Sequence, residues 1–174
     1  YASSWRADGE KNLHNILDAI SIHYVDLLNL HFGKIQNSHY FPQLVSEKGT
    51  SFDTGYILLK YKNGITASIM NSYAAPSISE LLMIGTNGFL TIRNNEVILF
   101  SPRDTFNSQG NFSRPPVLKQ NQFNFEDESS NSLKKSLDYF LACVSENNPI
   151  PIEQFKSSIE TNRFIIKLKT SKLT

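Results

Sequence analysis

Residues 12–33 read NLHNILDAISIHYVDLLNLHFG, and every other segment of the chain is placed relative to them. Leu13, Ile16, Leu17, Ile20, Tyr24, Leu27 and Leu28 recur at three- and four-residue intervals. That spacing predicts a helix over 12–32 with one face on a core. Gly33 suits the left-handed residue that closes such a helix. Outward from it, Ile35 to Val45 is a loosely patterned strand and Tyr56 to Tyr61 a denser one. Asn63-Gly64 then gives a strong hairpin signal, and Ile65 to Tyr73 returns. Ser79 to Ile84, Phe89 to Ile92 and Val97 to Phe100 follow, joined by turns at 86–88 and at Asn94-Asn95. Connections this short favour antiparallel neighbours. Residues 102–127, rich in Pro, Gly, Asn, Ser and Gln, read as a long irregular segment. Leu133 to Val144 and Ile152 to Lys169 read as helices separated by Asn147-Asn148-Pro149. Helix, strands, then two helices predict the α+β class.

Length and composition bound the rest. A chain of 174 residues, 40% hydrophobic and 19% charged, can bury its own core and is expected to form one domain over 1–174. Seventeen basic against sixteen acidic residues leave no single-sign field to draw nucleic acid or an acidic membrane. The apolar runs are too short to span a bilayer. Cys143 is the lone cysteine, which excludes an internal disulfide and a cysteine-based zinc site and fits a cytoplasmic location. His14, His23, His31 and His39 share no metal-ligand spacing, so no metal is expected. The chain opens on Tyr1 without a signal peptide, so a piece of something longer is expected. It carries no strand–GxGxxG–helix unit of its own.

Chemistry concentrates on the first helix. At about 100° per residue, Asn12, Asn15, Ala19, His23 and Asp26 line one side of it, beside the apolar stripe. His23 and Asp26 are three apart, so Asp26 is placed to orient an imidazole that moves a proton near neutral pH. An equally simple reading is a half-buried histidine bonded to a structural aspartate.

Ser4-Trp5-Arg6, the run Ile22-His23-Tyr24-Val25-Asp26-Leu27-Leu28 and Gly33 resemble the C-terminal domain of the Gfo/Idh/MocA oxidoreductases. Leu59 to Ala67 and Glu80 to Leu90 continue the likeness in the same order. The resemblance implies an open, mainly antiparallel sheet of the dihydrodipicolinate reductase-like kind, with helices packed on one face. It implies that the other face pairs with a second copy. NAD or NADP would be bound mainly by a preceding Rossmann domain, expected to be absent from this chain. The substrate would be a sugar, sugar acid, nucleotide sugar or cyclic polyol, its alcohol losing a proton as the carbon gives hydride to the cofactor. His23 then takes the catalytic histidine position, and Arg6, Trp5, Asn15 and Asp26 line the substrate pocket. An arginine at position 6 suits a carboxylate- or phosphate-bearing sugar.

Three departures stand against the pattern. The family's aspartate four residues before the histidine is Ala19 here. Asp18, five before it, points about 140° away on an ideal helix and is a displaced candidate partner. Ser21 stands where the family tends to have glycine, and Asp8 to Asn12 replace a glycine-rich stretch. A non-catalytic ligand-binding or assembly module of the same fold is therefore the alternative. An unrelated scaffold, with His23 sealed in the core, is a third.

Overall fold

In the computed structural model the described residues are 3–101 and 106–170; Tyr1 and the first four residues of the irregular segment lie outside them. The chain divides into two compact units, residues 1–77 with 151–174, and residues 78–150.

The first unit is built on a three-stranded antiparallel sheet in the order β1 (Ile35–Gln43), β2 (Thr54–Tyr61), β3 (Thr66–Ser72). The Asn63-Gly64 hairpin is present, with Gly64 at φ 91° and the Asn63 side chain accepting from the Ile65 N–H. In β2 the side chains alternate. Gly55, Ile57, Leu59 and Tyr61 are buried, while Tyr56, Leu58 and Lys60 face solvent. The register sets Ile57 between Tyr40 and Ile69, so all three strands send the same parity inward. Two helices cover that inner face, α2 (Ile22–Phe32) and the C-terminal one, called α4 below (Lys156–Thr170). Leu17, Val25, Ile165 and Leu168 meet Tyr40, Ile57, Leu59, Tyr61 and Ile69 in one core. Each such aliphatic chain contributes about 1.5–3 kcal/mol by leaving water.

The expected continuous helix over 12–32 is broken. A short helix α1 (Gly9–Asn12), capped by the Asp8 carboxylate, is followed by a turn, then a π-helical turn over Leu17–Ser21, and only then α2. The reason lies outside the segment. The Phe52 N–H donates to the Leu13 carbonyl at 3.0 Å, Ser51 Oγ donates to the Asn12 carbonyl, and the Ile16 N–H donates to the Phe52 carbonyl. The 50–53 loop thus takes backbone groups that an uninterrupted helix would have paired internally. Gly33 closes α2 where expected, but at φ 81° and ψ −137°, a conformation open to glycine and outside the left-handed helical region.

Asp53 holds that loop. It is buried, and its carboxylate accepts from the Val45 and Ser46 N–H groups at 3.0 and 2.9 Å and from the hydroxyls of Ser46 and Thr54. Burial pushes its carboxyl up, but the Ser46, Val45 and Thr54 hydrogen bonds together outweigh it and hold the group below its ordinary value. A depressed folded value means that the stabilisation is present above the unfolded value of about 3.9 and is lost as pH falls through the folded one. Asp53→Asn is therefore expected to cost about 1–2 kcal/mol near neutral pH, because an amide cannot accept from both sides. In urea titrations the gap to wild type should close below about pH 4; a gap that stays constant across that range would remove Asp53 as its source.

The second unit is an antiparallel meander, β4 (Glu80–Gly85), β5 (Gly88–Arg93), β6 (Glu96–Phe100) and β7 (Val117–Gln122), followed by α3 (Phe125–Ser145). Both turns sit where the sequence places them. Asn94 and Asn95 take positive φ of 50° and 62°, the geometry of a tight hairpin turn. Gly88 takes φ 126° with the Phe100 carbonyl so close that a Cβ would strike it. One correction applies here: β7 lies inside the segment read as irregular. Its six residues are all exposed and carry no alternation, so it is a strand only through its ladder with β6. The Asn124 side chain caps α3, whose Leu133, Leu137, Phe140, Leu141 and Val144 are each more than half exposed. The open antiparallel architecture expected of the chain is thus present as two ladders, one in each unit.

Candidate functional site

The first unit holds every residue singled out for chemistry. His23 lies in the first turn of α2 with its side chain exposed. Among the described residues no hydrogen-bonding or charged partner engages it. Tyr24, Leu27 and Leu30 share the exposed side of the helix, at 40%, 45% and 68% exposure. By helical geometry Leu27 and Leu30 flank His23 within about 40°. The imidazole therefore stands on an uncovered, largely apolar strip and is not sealed in the core.

Asp26 does not reach His23. Its carboxylate faces α4, where Oδ1 accepts from the hydroxyls of Ser157 at 3.1 Å and Thr161 at 3.0 Å, and Oδ2 accepts from Ser158 at 3.1 Å. The chain of bonds continues inward. Asn29 Nδ2 donates to Thr161 Oγ1 at 2.9 Å, and Tyr61 donates to Asn29 Oδ1 at 3.4 Å. A carboxylate so engaged is a clamp between two helices.

Asp18 is likewise turned to α4, where Lys169 Nζ lies 2.5 Å from Oδ1. Both side chains are about 30% exposed. The π turn over Leu17–Ser21 takes up one more residue per turn than an α-helix does. It thereby shortens the angular gap that an ideal helix puts between Asp18 and His23. Turns of this kind recur at functional sites. Asn15 is fully buried, its Oδ1 accepting from Asn12 Nδ2 at 3.2 Å.

Arg6 and Trp5 are brought together: the guanidinium lies 4.9 Å from the indole centre, and both are exposed. Stacking of this kind is worth about 0.5–1 kcal/mol at the surface and holds the cation in place. Trp5 borders a shallow open depression of about 340 Å³, together with Ser4, Asp8, Lys11, Gly49 and Thr50. Arg6 and His23 are not on its wall.

Ser157, Ser158, Thr161 and Lys169 were not singled out by sequence. A signal was there in the hydroxyls at positions 157, 158 and 161, which fall on one side of a helix by spacing. Among the described residues no cluster of three metal-ligating side chains exists, and no helix is long and apolar enough to cross a membrane.

Comparison with known proteins places this arrangement. Among solved structures, an oxidoreductase from Thermotoga maritima matches with a TM-score of 0.68 at 18% identity, over 97% of this chain and 45% of that one. The UDP-N-acetylglucosamine 3-dehydrogenase of Acidithiobacillus ferrooxidans matches at 0.59 and 12%, over 86% and 44%. A levoglucosan dehydrogenase in complex with NADH and L-sorbose matches at 0.55 and 14%, over 70% and 34%. At these identities the likeness concerns the fold. The chain spans less than half the length of each of these relatives. No curated protein matches by sequence. The family model of the GFO/IDH/MocA C-terminal domain matches residues 1–91, more than half of the 174. With the antiparallel fold and the solved neighbours in agreement, this chain belongs to the GFO/IDH/MocA C-terminal domain family.

Proposed function

We propose that this chain is the substrate-facing and subunit-pairing half of an NAD(P)-dependent oxidoreductase acting on a sugar, sugar acid, nucleotide sugar or cyclic polyol. One observation carries the reading: His23 stands on an uncovered apolar strip of α2, with Leu27 and Leu30 beside it, where a further stretch of polypeptide would close a cleft. Solved relatives about twice as long supply the precedent for such a stretch. The residues of this chain do not fit a dinucleotide by themselves, because no glycine-rich strand-to-helix turn is present to cradle its phosphates. The nucleotide-binding part would therefore be a separate Rossmann domain, with residues 1–174 acting as one substrate domain beside it.

When bound, the nicotinamide would accept hydride from the alcohol carbon. The residues of this chain would do the rest. His23 would take the hydroxyl proton as the carbonyl forms. Arg6, held by Trp5, would meet a carboxylate or phosphate on the substrate, and Asn15 and Asp26 would back the pocket wall. Asp18 would be the displaced acidic partner only on leaving its ion pair with Lys169 of α4. A cytoplasmic location accompanies this reading.

The test is spectrophotometric. The protein joined to its nucleotide-binding part is offered sugars, sugar acids, nucleotide sugars and cyclic polyols with NAD or NADP. Reduction of the nicotinamide by at least one of these classes is the expected result, and none by any would overturn the reading. A second reading, a ligand-binding or assembly module without catalysis, has its own support: both carboxylates near His23 are taken up by α4. It predicts sugar binding in calorimetry without turnover.

The outer face of the three-stranded sheet supports pairing with a second copy. Phe41 and Tyr56 meet there as tilted rings with centres 6.3 Å apart, beside Leu58 and Met70, the last 70% exposed. Wild-type protein is expected to be a dimer in light scattering, and Met70→Asp a monomer, since a buried unpaired carboxylate is costly. A wild-type monomer at high concentration would end the proposal for this face.

A further inference from the structure

We propose that Asn87, in the turn between β4 and β5, is a site of self-modification by deamidation, and that the fold directs this reaction there and away from Asn63. The chain has two Asn-Gly pairs, at 63–64 and 87–88. At such a pair the glycine nitrogen attacks the side-chain carbonyl carbon of the asparagine, because glycine has no Cβ to block the approach. The new C–N bond closes a succinimide ring, and the side-chain nitrogen leaves as ammonia. Water then opens the ring at one carbonyl or the other, giving aspartate or isoaspartate. No oxidation state changes, and water is the sole co-reactant.

Both glycines sit in hairpin turns, so the asparagine side chains make the difference. Asn63 is fixed at both ends of its amide. Nδ2 donates to the Phe32 carbonyl at 3.1 Å, and Oδ1 accepts from the Ile65 N–H at 3.2 Å. Turning that amide on to the Gly64 nitrogen breaks both bonds first, which slows ring closure by about 10- to 100-fold. Asn87 is exposed, in the short turn that the Gly85–Gly88 pair closes. Among the described residues no hydrogen bond holds its amide, so the side chain turns freely in water. The turn also keeps its glycine. Gly88 stands at φ 126°, and a Cβ there would strike the Phe100 carbonyl. The reactive pair is therefore retained for a conformational reason. Conversion puts a carboxylate into the turn. As isoaspartate it also lengthens the main chain by a methylene, beside the paired residues Ile84 and Phe89.

Peptide mapping of the whole chain tests this. The folded protein is held in warm, mildly alkaline buffer, and samples are cut after glutamate, which separates residues 48–80 from 81–96. Fragment masses then locate each new aspartate or isoaspartate. Asn87 is expected to convert at least about tenfold faster than Asn63, the factor set by the two bonds on Asn63. In the urea-unfolded chain the two should convert at similar rates, since neither amide is then held. Equal rates in the folded protein, faster conversion at Asn63, no conversion at Asn87, or the same preference in the unfolded chain would overturn the proposal.

Discussion

Asp26→Ala is expected to destabilise the protein by about 3 kcal/mol, read as a lower urea midpoint with an unchanged slope. The carboxylate accepts from three hydroxyls on α4, those of Ser157, Ser158 and Thr161. Hydrogen bonds to a charged group are worth about 1.5–3 kcal/mol each before partial exposure discounts them. Truncation also leaves donors behind, and Thr161 is only 1% exposed, so its hydroxyl would have no water to turn to. Asn29 and Tyr61 are bonded in series behind it, so the loss propagates into the sheet. Asp26→Asn keeps one acceptor oxygen and should cost about half as much. A loss under about 0.5 kcal/mol for the alanine variant would mean that the clamp does not hold these helices together.

His23→Ala should do the reverse. In the protein joined to its nucleotide-binding part, turnover is expected to fall about 10²- to 10⁴-fold, the usual contribution of a positioned general base. Stability should change by no more than about 0.5 kcal/mol, because the ring is exposed and nothing in the described structure depends on it. Substrate affinity should change little if the imidazole acts mainly on the proton in flight. Turnover equal to wild type would remove His23 from the chemistry and favour the non-catalytic module. Three residues apart on one helix, His23 and Asp26 thus separate function from stability.

The contrast also marks where sequence reasoning succeeds. The alternation in β2 and the Asn63-Gly64 and Asn94-Asn95 turns are where local pattern puts them, whereas Leu13, Tyr24 and Leu27 of the stripe read as core-facing are exposed and Val25 is buried. β7 escaped because six exposed residues without alternation look like loop until β6 is beside them. The break in the first helix escaped for a like reason: it is caused by Ser51 and Phe52, far along the chain.

Side-chain periodicity and turn chemistry are properties of neighbours in the chain, so the α+β class and most strands were determined by the sequence alone. Which partner a polar group takes is a property of neighbours in space. Asp26, legible only as a companion to His23 three residues away, is claimed by hydroxyls 131 to 135 positions distant. Only the packing of α4 against α2 decided that, because a carboxylate leaving water binds the donors that the fold brings to it.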